Sequence, residues 1–285
     1  MHETPEAAWF SGGKVGVLGP STSGVVVSAT ASARPVLTFR NFSLRCDKSD
    51  PTVSFQTPWN WSLTHGKRVA VITNNPFLRY QLTACLAGFV PSVSGEVISQ
   101  GVIGWPVGGE GGLDRKLRIR HAVDFLSVLY GDCLQRSRVS IGEFWDLLAG
   151  VGVHSEVLVK ELSRSQKDFF YLALSVLFSF DFYLFPDTRF LMSSAAGDLR
   201  SLLLTQLEGK TLLSTSTSLQ FQSEFCAEGL VLGALGQILF AGKLSKAIEW
   251  ADQNLESSSF CDDDFEVTKI LSNVESSGDQ DDDFI

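Results

Sequence analysis

Residues 68–86 constrain the fold of this chain more than any other stretch. Arg68-Val69-Ala70-Val71-Ile72 is a short β-branched run of the kind that fills a buried parallel strand. Phe77–Leu86 then takes up helical spacing, with Gly88 and Pro91 as stops. A buried strand that turns directly into a helix is the signature of α/β architectures. Further along, helical patterns fill 120–130, 140–150 and 165–180, and short strands are predicted at 181–185, 210–215 and 229–233. The N-terminal side differs. Val36–Leu44 alternates apolar and polar residues, and Val53–Leu63 reads as a second strand with a turn. At the other end a hairpin-like Val231–Phe240 leads to a helix near Lys243–Leu255. The expectation is an α/β fold with a parallel core sheet, an antiparallel β lobe and a helical lobe over roughly 110–170.

Charge divides the chain. Residues 253–285 hold ten acids against one lysine, which accounts for the whole net charge of −9. The body is neutral, so composition gives no support for nucleic-acid binding. Residues 1–34 are rich in Gly, Ser, Ala and Thr without sustained periodicity and read as a flexible arm. Within them Gly19-Pro20-Ser21-Thr22-Ser23-Gly24 imitates the spacing of a phosphate loop, but Val25-Val26 follow where Lys and Ser/Thr are needed. Domain boundaries are therefore set at 1–34, 35–252 and 253–285. Five scattered cysteines and four separated histidines offer neither a disulfide framework nor metal-ligand spacing, so no metal is expected. The start lacks the features of a signal peptide, and a cytoplasmic protein is expected. Phe169–Phe185 is almost wholly apolar, yet Asp181 lies inside it and charges flank it. A buried helix running into a buried strand explains it better than a membrane span.

With these segments in order, the chain resembles the ATPase domains of ABC transporters. Gly66–Ile72 and Leu82–Glu96 look like the strand, helix and "SGE" turn around the family's phosphate loop. Leu162-Ser163-Arg164-Ser165-Gln166 stands where the family has its LSGGQ signature, and Asp181–Asp187 where its magnesium-binding strand ends. Phe225–Leu232 and Gly236–Trp250 resemble the closing strands and helix, so the resemblance spans 35–252. Gly104–Leu113, with its Trp105-Pro106 pair and glycines, followed by His121–Gly131, is similar to the subfamily exporting capsular or O-antigen polysaccharide.

What the resemblance implies about the site is a loss of chemistry. A phosphate loop uses glycines to converge its N–H groups, Lys for charge and Ser/Thr for magnesium. The glycine positions carry Thr73, Pro76 and Leu78, and Pro76 has no N–H to give. Arg79 replaces the lysine, and Tyr80 the hydroxyl that would ligate magnesium. Leu78 is expected to intrude on the phosphate position, and Phe77 and Tyr80 to fill the remaining space. Pro186 replaces the magnesium-binding Asp, Asp187 the catalytic Glu, Thr217 the switch His, and Cys46 the aromatic that stacks on adenine. In the signature, Ser163 and Gln166 persist while Arg164 and Ser165 replace the glycines. The expectation is a chain that is no enzyme and has lost ATP and magnesium, acting by docking. Expected partners are a membrane permease, an intact ATPase subunit of a polysaccharide exporter or other capsule-assembly proteins, with a dimer compatible and a peripheral place on the inner membrane. An alternative is a scaffold or regulator that keeps only the fold; an active ATPase ranks last. The tail repeats Asp262-Asp263-Asp264-Phe265 as Asp281-Asp282-Asp283-Phe284, a pattern suited to a basic groove with an apolar pocket.

Overall fold

The computed structural model describes residues 7–8 and 35–255. The rest of the 1–34 arm and both Asp-Asp-Asp-Phe motifs lie outside the described residues. The antiparallel lobe is formed by β2 (Pro35–Ser43), β3 (Trp59–Thr64) and β5 (Ser94–Ser99), and β1 (Ala7–Ala8) adds parallel to β3, giving the order β1-β3-β2-β5. The main sheet has the order β6-β7-β4-β8-β9, built from β4 (Arg68–Ile72), β6 (Phe182–Phe185), β7 (Thr211–Ser214), β8 (Glu228–Leu232) and β9 (Ile238–Lys243). Its first four strands run parallel, and β9 returns antiparallel to β8. The α/β fold with a parallel sheet and an antiparallel lobe is therefore as the sequence indicates.

The 53–63 stretch is a bridge from Ser54 to Arg45, a bend and then β3 from Trp59, in keeping with a strand and a turn. One local reading needs correction. The "SGE" segment is part of strand β5 rather than a turn. Gly95 is needed there because β2 bulges opposite it. The register shifts between Arg40 and Ser43, Asn41 takes φ +48°, and a Cβ on Gly95 would lie 2.1 Å from the Arg40 carbonyl oxygen. A side chain cannot fit, so glycine is dictated by this close approach.

The parallel strands separate two cores by simple alternation. Phe182 and Leu184 of β6, Val69 and Val71 of β4 and Leu213 of β7 face the antiparallel lobe. Helix α1 (Pro76–Leu86) lies in that same core through Leu78, Leu82 and Leu86. Tyr183 and Phe185, Ala70 and Leu212 face the other way, onto the helices. Those helices are α2 (Ile119–Leu129), α3 (Gly131–Gln135), α4 (Ile141–Gly150), α5 (Arg164–Leu177) and α6 (Gly197–Gln206). A small third core joins β8 and β9 to α8 (Leu244–Asn254), while α7 (Leu219–Phe225) stacks Phe221 and Phe225 beside Phe185.

The apolar run 169–185 is a buried helix followed by a buried strand, as expected. Every residue of α5 from Phe169 to Leu177 is buried, and all four of β6 are. Among the described residues no helix is long and apolar enough to cross a membrane. The Gly104–Gly108 segment runs beside β6. Gly104 and Val107 donate their N–H groups to the Phe182 and Leu184 carbonyls at 3.0 and 2.8 Å. Trp105 packs against Tyr130, Phe178 and Phe180. Glycine at 104 admits the Phe180 ring, which a Cβ would meet at 2.5 Å.

Candidate functional site

In open α/β sheets, ligands bind beyond the carboxyl ends of the parallel strands. Here those ends are Thr73 after β4, Pro186-Asp187 after β6, Thr215–Thr217 after β7 and Gly233-Ala234 after β8. The structure brings Cys46, Thr73, Asn75 and Arg79 together at the first of them. The residue that organises this corner is Asn75, which the sequence reading passed over.

Asn75 is the N-cap of α1. Its Oδ1 accepts the Leu78 N–H at 3.0 Å, and its Nδ2 donates to the carbonyls of Cys46 at 2.7 Å and Ala234 at 2.9 Å. Its own N–H reaches Thr73 Oγ1 at 3.2 Å. Pro76 occupies the first helical position, where a missing N–H costs nothing and a fixed φ suits the helix. Asn-then-Pro at a helix start was therefore a legible capping signal. Arg79 folds back to donate from Nη1 to the Thr73 carbonyl at 3.3 Å.

Leu78 is not where it was expected. It is fully buried in the core between α1 and the antiparallel lobe, because a helix entered at Pro76 turns position 78 inward. Tyr80 is half-buried, and burial pushes its phenol above the ordinary value. Cys46 is buried beside Leu44 and Asn75, and desolvation pushes its thiol up to about 11, so it stays protonated.

The other strand ends carry a ladder of hydroxyls. Thr83 Oγ1 donates to the Arg79 carbonyl at 3.1 Å, so its 2.9 Å bond to Thr215 must take the proton from Thr215. Ser214 Oγ and the Thr215 N–H both donate to the Phe185 carbonyl. Thr188 and Ser216 share a bond of 2.7 Å, and Gln222 Nε2 donates to the Ser216 carbonyl at 2.7 Å. Pro186 offers no side-chain oxygen. Asp187 is held by Arg189, whose Nη2 lies 2.7 Å from Oδ2. Thr217 is exposed.

The Ser163–Gln166 segment forms the start of α5. Ser163 and Gln166 make a reciprocal capping box, and Gln166 Nε2 also donates to the Val151 and Gly152 carbonyls at 3.2 Å each. Arg164 and Ser165 are exposed at its edge. None of the hydrogen bonds of Ser163, Ser165 or Gln166 reaches the Thr73–Tyr80 loop. The next turn carries Asp168, whose carboxyl burial lifts above the ordinary value despite Arg164 and Arg189 nearby.

Comparison with known proteins places this geometry. No protein-family model matches the chain. It is 28% identical over 195 residues to a polysialic acid transport ATP-binding protein, KpsT, of Escherichia coli, covering 63% of this chain and 84% of that protein. A second KpsT from Escherichia coli matches at 28% over 191 residues, covering 64% and 83%. Among solved structures, the ATP-binding subunit of an ABC transporter superposes with a TM-score of 0.57 at 14% identity, covering 85% of this chain and 99% of that one. A metal-chelate type ABC transporter in an inward-facing conformation gives 0.54 at 15%, covering 75% and 85%. The resemblance to ABC-transporter ATPase domains, and among them to the polysaccharide-export ATPases, thus holds. One expectation is overturned. The chain was read as no enzyme, but its relatives over most of their length are ATP-binding transport proteins, and substituted motif positions alone do not set it apart from an ATP-using family.

Proposed function

We propose that this chain, an ABC-type ATPase domain similar to the polysialic acid transport ATP-binding proteins, is the ATPase-type subunit of a polysaccharide exporter. It docks on a membrane-spanning permease at the inner face of the membrane and pairs there with a second ATPase-type subunit. The observation that carries this reading is the similarity to KpsT, which spans 84% of that protein. The strand order and the separate helical lobe support it by giving the architecture such subunits share.

Within this reading, the site residues act differently from the family pattern. Asn75 occupies the Leu78 N–H that an incoming phosphate would seek, Arg79 supplies the positive charge, and the Thr83–Thr215 hydroxyl pair stands between β7 and α1. Mg-ATP accordingly binds weakly to the isolated chain, and the assembled exporter completes the site. A ligand present at a hundred times its Kd stabilises a protein by about 2.7 kcal/mol. Millimolar Mg-ATP should therefore give the isolated chain little thermal shift. Affinity purification of the tagged chain from native membranes should recover a multi-spanning permease, and ATPase activity should be assayed on that complex. Fractionation of the chain away from membranes, with no permease recovered, would overturn the proposal.

A further inference from the structure

The residues at the carboxyl ends of the four parallel strands are Thr73, Pro186-Asp187, Thr215–Thr217 and Gly233-Ala234. Asp187 is the one acid among them, so it is the group at those ends that can take a proton from a water molecule. Its carboxylate is occupied by Arg189. The Arg189 backbone N–H donates to Oδ1 at 2.9 Å, Nε lies 3.2 Å from Oδ1 and 3.0 Å from Oδ2, and Nη2 donates to Oδ2 at 2.7 Å. Both oxygens are therefore taken by one guanidinium fork.

The arginine has a second carboxylate beside it. Asp168, one turn into α5, is half-buried and interacts electrostatically with Arg164, Asp187 and Arg189. The residues that follow Asp168 and Arg189 are Phe169 and Phe190, and their rings meet edge to face at 6.5 Å, which holds α5 against the turn after β6. The turn itself is fixed, because buried Thr188 shares a 2.7 Å hydroxyl bond with Ser216. A fixed turn beside two acids leaves one soft coordinate, the Arg189 side chain. Asp187 and Arg189 are 40 and 57% exposed, and an exposed ion pair is worth so little that moving the arginine changes populations by only about two- to fivefold.

We infer that Arg189 is a two-position clamp on Asp187: seated on Asp187 it withholds that carboxylate, and seated on Asp168 it releases it to the space beyond the strand ends. The inference rests on the ATPase reading given above, since only a reaction that consumes water gives the released carboxylate something to do. Arg189 is thus a positioning residue that acts through Asp187, and Asp168 is its alternative seat. The closed position is the one the structure shows.

Carboxyl labelling with a carbodiimide and glycine ethyl ester, read by mass spectrometry on the isolated full-length chain, tests the clamp without any activity. Arg189→Gln should raise labelling of Asp187 about two- to fivefold, and Asp168→Asn should lower it. Turnover is then measured on the permease complex recovered through the tagged chain. Asp187→Asn should cost about a hundredfold or more in kcat. Arg189→Gln should raise kcat by about the factor seen in labelling and leave KM for Mg-ATP unchanged, whereas an arginine that served only structure would lower kcat when removed. Asp168→Asn should lower kcat in the parent and change nothing further in the Arg189→Gln background. Unchanged labelling in Arg189→Gln, or a kcat that falls, would overturn the inference alone, as would a parent turnover indifferent to Asp187→Asn. Absence of turnover from every complex would overturn the ATPase reading and the inference with it.

Discussion

The starts of α1 and α5 are capped in different ways. At α5 the cap is local: Ser163 and Gln166 satisfy one another, and Gln166 reaches only the neighbouring end of α4. At α1 the cap is a junction. Asn75 closes its own helix and, from the other end of its amide, ties the loop between β2 and β3 to the β8–β9 turn. An exposed, reciprocal cap can be lost with little consequence beyond its helix. A cap that satisfies carbonyls of two distant segments couples three pieces of chain, so its removal leaves acceptors unpaired elsewhere.

The difference predicts unequal costs. Asn75→Ala should destabilise the chain by about 2–3 kcal/mol, about one for the lost cap and the rest for the two orphaned carbonyls. Chemical denaturation would measure it, and a cost no greater than that of an ordinary cap would erase the distinction. Ser163→Ala should cost only about 1 kcal/mol. A double-mutant cycle sharpens the point: Asn75→Ala and Ser163→Ala should add without coupling. The smallest effect belongs to Asp168, one turn into α5. Its folded-state carboxyl is raised above the ordinary value by burial. A raised acid loses stability as pH climbs from its unfolded value through its folded one. Asp168→Asn should therefore raise the denaturation midpoint slightly at pH 7 and leave it unchanged near pH 3.

Much of this fold was legible because its strongest elements obey simple periods. The β4–α1 unit emerges within a residue of its sequence-based bounds, and the α5–β6 run and the β8–β9 hairpin within about three. Elements with weak signals were missed. Strand β5 shows no alternation in burial, α6 starts at Gly197 without a side-chain cap, and α7 has only seven residues. The site was read less well than the fold. Treating residues 73–80 as a spoiled phosphate loop hid what Asn75-Pro76 announces about a helix start, and it misplaced Leu78, which the helix turns into the core. Matching positions to a motif said which groups were absent; it did not say what the substituted groups had taken up instead.

The strip of chain at Gly104–Val107 bears on handling the protein in solution. It hydrogen-bonds along β6, the outermost strand of the main sheet, whose Phe182–Phe185 sequence is apolar throughout. A bare edge of that composition is a template on which another molecule's strand can add. By covering it, and by placing Pro106 where no outward N–H is offered, the strip makes the edge inert. Weakening its hold, for instance by crowding Phe180 with Gly104→Val, should appear as poor solubility and loss to inclusion bodies.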